Sequence, residues 1–130
     1  MNTLVKFLTL AAASLALGFG SLAIAADGVA TYNMKSFDTA QTENQHIVVE
    51  VFKKGCPTCA AQQPGLNEAK AKFPGAKFVT VDFLGDQDAV KRFAAVKQST
   101  IIVYKGNKEV ARLVGETNNA AIVEAIGKGA

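Results

Sequence analysis

Cysteine is scarce in this chain. There are two among 130 residues, Cys56 and Cys59, separated by only two positions. That excludes a disulfide framework, which uses more cysteines and closes longer loops. A bridge between these two would close almost nothing and stabilise little. Histidine is scarcer still, His46 being the only one. A zinc site on the cysteine pair needs two further ligands, and one histidine before a central strand does not supply them. Ala60 follows Cys59, where covalent c-type haem attachment needs histidine. Excess charge is also missing. The basic residues are scattered apart from Lys53-Lys54 and Lys91-Arg92, which argues against nucleic acid as a partner. No internal repeat and no long low-complexity tract interrupts the chain.

The first 25 residues read as a signal peptide. Lys6 supplies the positive start, Phe7 to about Phe19 the apolar run, and Ala23-Ile24-Ala25 an A-x-A cleavage site. The rival reading is an uncleaved anchor, since the apolar stretch just reaches spanning length. Gly18, Gly20 and Ser21 before the A-x-A favour cleavage. Cleavage after Ala25 leaves 105 residues with 13 Lys+Arg against 11 Asp+Glu. That is enough chain for one domain with a real core. The expectation is residues 1–25 as leader and 26–130 as the domain, exported to the periplasm in a Gram-negative host. Membrane contact is then made only through the leader, and a monomer is expected.

The mature chain alternates helix and strand signals. A short strand is expected within Thr31–Phe37, anchored by Tyr32, then a polar helix capped by Ser36 or Asp38 and running to about Asn44. Ile47-Val48-Val49-Glu50-Val51-Phe52 is almost continuously apolar and β-branched, as a strand buried on both faces should be. Ala60 to about Phe73 reads as a helix with Leu66, Ala69 and Phe73 on one face, interrupted by Pro64. A second buried strand follows at Lys77–Phe83. Asp88–Val96 reads as a helix with Val90, Phe93 and Ala94 inward. Thr100–Tyr104 and Lys108–Val114 are strands joined at Lys105-Gly106-Asn107. Asn118 or Asn119 caps a last helix facing inward with Ala121, Ile122, Ala125 and Ile126. The order β-α-β-α-β-α-β-β-α predicts an α/β domain, a central mixed sheet flanked by helices.

Cys56 falls where a buried strand gives way to a helix. Unpartnered N–H groups and the helix dipole at such a start favour a thiolate. Pro57 suits the first helical position, and Lys53 and Lys54 add nearby positive charge. Cys56 is therefore the expected nucleophile. Cys59, one turn on along the same face, is the expected resolving cysteine, attacking the mixed disulfide between Cys56 and a substrate. Glu50 is a lone carboxylate in an apolar run. If buried it should have a raised pKa and serve the proton of Cys59; the alternative is a carboxylate at an edge or a water-filled gap.

These residues resemble the thioredoxin family over about Thr31–Gly127. Glu50, six residues before the first cysteine, matches the family's buried acid. Pro64, five after the second, matches its helix-interrupting proline. The hairpin, Gly115 and the final helix match its C-terminal end. The resemblance implies a thioredoxin-like fold and thiol–disulfide oxidoreductase activity without an organic cofactor. It implies as partners cysteine-containing exported proteins and a membrane redox partner that resets the dithiol.

The departures are specific. Gly55 stands where the family has tryptophan, and the chain has no tryptophan at all. Pro57-Thr58 between the cysteines is closer to the Pro-X pattern of some periplasmic disulfide enzymes and glutaredoxins. Ser99 stands where the family has a cis-proline before the strand beginning at Thr100, so the Gln98–Ser99 bond is expected to be trans. Pro57, Thr58, Gln98, Ser99 and Thr100 are the expected substrate groove, with the Ser99 hydroxyl placed to hydrogen-bond a cysteine sulfur. Thr80 occupies the position of the lysine that often accompanies the buried acid. The alternative function is a metal or iron–sulfur site using the pair between two chains, opened by the loss of the proline.

Overall fold

The computed structural model describes residues 28–130, so the leader assigned to residues 1–25 lies outside the described residues. The element order is the expected one: β1 (Val29–Thr31), α1 (Met34–Thr42), β2 (His46–Phe52), α2 (Pro57–Lys72), β3 (Lys77–Asp82), α3 (Gln87–Arg92), β4 (Thr100–Lys105), β5 (Lys108–Val114) and α4 (Asn119–Gly127). The strands form one sheet in the order β1-β3-β2-β4-β5. β3 runs parallel to both β1 and β2, while β4 is antiparallel to β2 and β5.

β2 is the centre of the sheet, and strand alternation sorts its side chains onto two faces. Ile47, Val49 and Val51 join Phe37, Ala40, Val81, Val90, Phe93 and Ile102 in a core beneath α1 and α3. Val48 joins Leu66, Ala69, Phe78, Ile101, Ile122 and Ile126 in a core beneath α2 and α4. Glu50 shares the parity of Val48, so it faces α2. That one relationship places the acid against α2, where Gln63 contacts it.

Three boundaries differ from the sequence expectation. β1 ends at Thr31, and Asn33 rather than Ser36 or Asp38 caps α1, its Oδ1 accepting the Ser36 N–H at 3.0 Å. The earlier start turns Phe37 and Ala40 inward. α3 begins after an Asp86 cap and closes near Phe93, because Ala94 turns left-handed at φ 48°. Ala95, and not Ala94, therefore reaches the core. α2 starts at Pro57, with Cys56 itself as its N-cap. Gly65 lets α2 and α4 approach: a Cβ there would lie 3.0 Å from Ile122 Cδ1 and 3.2 Å from Asn119 Cα.

Candidate active site

β2 ends at Phe52, and the chain turns through Gly55, whose φ is 75°. Beyond its chain neighbours, no atom of the described residues lies within 4 Å of the position a Cβ would take there. The glycine answers a backbone requirement, and a tryptophan there would be strained despite having room. The turn delivers Cys56 to the N-cap of α2, where its sulfur accepts the backbone N–H of Cys59 at 3.2 Å. Pro57 occupies the first helical position, which needs no N–H donor.

Cys56 and Cys59 are both free thiols and both buried, at 8% and 6% exposure. Ser99 sits between them: its Oγ lies 3.2 Å from the Cys56 sulfur and 3.2 Å from the Cys59 sulfur. The Cys56 thiol is held below its ordinary value. The main cause is hydrogen bonding with the Cys59 side chain, then with the Ser99 hydroxyl; the backbone N–H groups of Cys59 and Thr58 add to it, and burial opposes it. The sequence expectation of a stabilised Cys56 thiolate therefore has a geometric basis.

No described peptide bond is cis, so the Gln98–Ser99 bond is trans as expected. Ser99 instead reverses the chain with a φ of 60°. Gln98 is half-buried beside it. Thr100 is 1% exposed, and its hydroxyl donates to the Lys97 carbonyl at 2.7 Å, so this member of the expected groove is turned into the loop. Pro57 is exposed and Thr58 half-buried at the mouth of the site.

Glu50 is 8% exposed, and desolvation pushes its carboxyl above the ordinary range, partly offset by Gln63 and by the charge of Lys70. It lines a shallow pocket of ≈ 420 Å³ with Cys56, Cys59, Lys53 and Lys54. It also lines a polar groove with Gln63, Asn67, Lys70 and Thr80. Glu50 is thus buried in the sheet and also borders solvent-sized space.

Three residues at this site went unread in the sequence. Gln63 Nε2 donates to Glu50 Oε1 at 2.6 Å and reaches the Cys59 carbonyl at 3.5 Å. Lys70, on α2, supplies the cation that Thr80 does not. Gln62 is fully buried and ties α2 to two loops. A signal existed for it. Cys59, Gln62, Leu66 and Ala69 form one inward stripe of α2, and only Gln62 carries an amide.

The metal alternative gains no support from the donors present. Among the described residues no three His, Cys, Asp or Glu side chains are grouped to hold an ion. His46 begins β2, at the end of the strand away from Cys56.

A five-stranded mixed sheet with a CxxC pair at the start of the helix after its central strand defines a dithiol domain of thioredoxin architecture. The family model described as thioredoxin matches residues 28–128, and the chain belongs to the thioredoxin family. Thioredoxin-1 of Saccharomyces cerevisiae is 34% identical over 92 residues, 69% of this chain and 86% of that protein. The crystal structure of Trxlp from Edwardsiella tarda superposes with a TM-score of 0.70 at 30% identity, covering 74% of this chain and 95% of that one. Thioredoxin NaTrxh from Nicotiana alata superposes with a TM-score of 0.68 at 26% identity, covering 78% and 90%. The protein is a thiol–disulfide oxidoreductase.

Proposed function

We propose that this is an exported member of the family, acting in the periplasm if the host is Gram-negative, as a monomer, on cysteine-containing exported proteins. The observation that carries the chemistry is the Cys56 sulfur at the N-cap of α2, accepting the Cys59 N–H and touching the Ser99 hydroxyl. Acting as a reductant, the Cys56 thiolate attacks one sulfur of a substrate disulfide. A mixed disulfide forms and the other substrate sulfur leaves as a thiolate, taking up a proton. Cys59 then loses its proton to Glu50 and attacks the Cys56 sulfur. The second substrate thiol departs, and the pair is left as a disulfide carrying two electrons fewer. A membrane dithiol partner returns those electrons. Run in reverse, the same steps deliver a disulfide to a substrate dithiol.

The N-terminal pattern Lys6, Phe7–Phe19 and Ala23-Ile24-Ala25 supports export. Gln98 and Ser99 would border the bound substrate, with Pro57 and Thr58 at the rim. Exposed Leu84, Val96 and Val114 lie in or beside the segments that follow β3, precede β4 and end β5, at the sheet end that carries Cys56. They offer apolar surface for a polypeptide.

Expression with the full N-terminus, followed by N-terminal sequencing, tests export: the expected mature start is Ala26, and an intact leader on protein retained in the cytoplasm defeats it. Cys59→Ser should trap substrate proteins on Cys56 as mixed disulfides released by dithiothreitol. A redox titration of the pair then assigns the direction of electron flow, a potential near about −270 mV marking a reductant and one near about −120 mV an oxidant.

A further inference from the structure

Ser99 is a non-glycine residue in the left-handed region, with a φ of 60°. Such a conformation persists only when its surroundings over-determine it. Contacts at its carbonyl hold it. The Ser99 carbonyl accepts two hydrogen bonds, from the Gly115 N–H at 2.9 Å and from Gln62 Nε2 at 3.0 Å. The same Gln62 nitrogen donates to the Glu116 carbonyl at 2.9 Å. Gly115 and Glu116 belong to the segment between β5 and α4. One amide therefore fastens the start of α2, the loop before β4 and the loop after β5 together.

The orientation of that amide is fixed by chemistry. Both of its partners are carbonyl oxygens, which accept and cannot donate, so only the NH2 edge can face them. Its own oxygen has no partner among the described residues. Gln62 is 0% exposed. A buried amide with one edge unpartnered is an expensive choice in the stripe Cys59, Gln62, Leu66, Ala69, where the neighbouring helix positions are apolar. Leucine or methionine there would extend the core. The clamp is what the amide provides in their place.

We propose that Gln62 is a positioning residue of the redox site: by fastening the Ser99 carbonyl to the β5–α4 segment it holds Ser99 left-handed and keeps its hydroxyl between the two cysteine sulfurs. Among the described residues Gln62 donates to the Ser99 and Glu116 carbonyls and to neither sulfur. It acts through Ser99. The inference deepens the thiol–disulfide reading and rests on it.

The test measures the acidity of Cys56, by thiolate absorbance and by iodoacetamide alkylation against pH, in the full domain. Gln62→Met removes the two donated bonds while keeping length and apolar volume. Expected is alkylation of Cys56 about three- to tenfold slower in mildly acidic buffer, matching the slowing in Ser99→Ala, the size expected for losing one hydrogen bond to a thiolate. In the Ser99→Ala background Gln62→Met should change alkylation no further, because the hydroxyl it positions is already gone. A folded Gln62→Met with the parent's pH profile overturns the proposal. So does an equal further slowing in the Ser99→Ala background, which would mean a general structural effect.

A measurement on the unaltered protein covers a variant that fails to fold. The Gln62 Nε2 protons should be protected from hydrogen exchange in the reduced state. Exchange at the rate of a surface glutamine removes the clamp. None of these readouts needs a substrate. If the parent fails to exchange disulfides with insulin while Gln62→Met still shifts Cys56, the oxidoreductase reading falls and the clamp stands.

Discussion

The amide of Gln63 donates to the Glu50 carboxylate across 2.6 Å, and the same nitrogen reaches toward the Cys59 carbonyl. The proton acceptor proposed for the resolving step is thus tethered to the backbone of the resolving cysteine. Gln63 also moderates the acceptor, since its hydrogen bond favours the ionised carboxylate against the desolvation that raises its pKa. Gln63→Leu should raise the Glu50 pKa further. The acid limb of the pH–rate profile for insulin reduction should then move to higher pH, with the alkaline limb unchanged. An unmoved acid limb would detach Glu50 from the reaction.

Glu50→Gln should separate function from stability. The folded carboxyl binds its proton more tightly than the unfolded one, so its favourable linkage is fully present below the ordinary carboxylate pKa. It is lost as pH rises through the elevated folded value. Above that elevated value the ionised, buried group is a burden. The variant should therefore gain stability over the parent in urea denaturation as pH rises, the gain fading below the ordinary carboxylate pKa of about 4.3. Turnover should fall roughly 100-fold or more with loss of the base.

Ser99 allows its backbone and its hydroxyl to be tested apart. Ser99→Ala and Ser99→Gly both lose the contact with the two sulfurs, so Cys56 should be less acidic in each. Glycine accepts a φ of 60° without strain and alanine does not. Ser99→Gly should therefore melt above Ser99→Ala, by the equivalent of about 1 kcal/mol. Equal melting points would mean that the left-handed turn stores no strain.

Gly65→Ala should destabilise the domain by about 1–3 kcal/mol through overpacking, because Asn119 Cα and Ile122 stand 3.0–3.2 Å from the new methyl group. The helix-propensity gain of alanine is smaller than this. Chemical denaturation reads it directly, and a stabilised variant would mean that α4 shifts at no cost.

His46 predicts an acid-sensitive stability. The residue is 7% exposed, its ring packs edge-on against Phe73 at 5.7 Å, and Nε2 has no partner among the described residues. Desolvation lowers its pKa below the ordinary 6.5, with the nearby Lys105 charge adding and the Ile126 carbonyl opposing. A depressed folded pKa contributes stability above the unfolded value, lost as pH falls through the folded one. The melting temperature should therefore decline from about pH 6.5 downward. His46→Phe should flatten that part of the curve if it folds, and an unchanged slope would clear His46 of the effect.

The sequence by itself determined the element order, the central strand and the chemistry of its end. A β-branched run with one acid, followed by Gly55 and a Cys-Pro-Thr-Cys start to a helix, encodes these locally, through propensity, periodicity and capping. Local signals also set the limits: Asn33 took the cap expected of Ser36 or Asp38, because Phe37 and Ala40 had a core to reach. Only the tertiary structure decided what surrounds the sulfurs. Ser99 lies 43 residues from Cys56 in sequence, and Gln62 is 54 from Glu116. Lys70 reaches Glu50's groove from another element. Nothing in a local pattern sets such distances. They follow from the crossing of α2 over the sheet and the antiparallel return of β4, which bring separate segments to one sheet end.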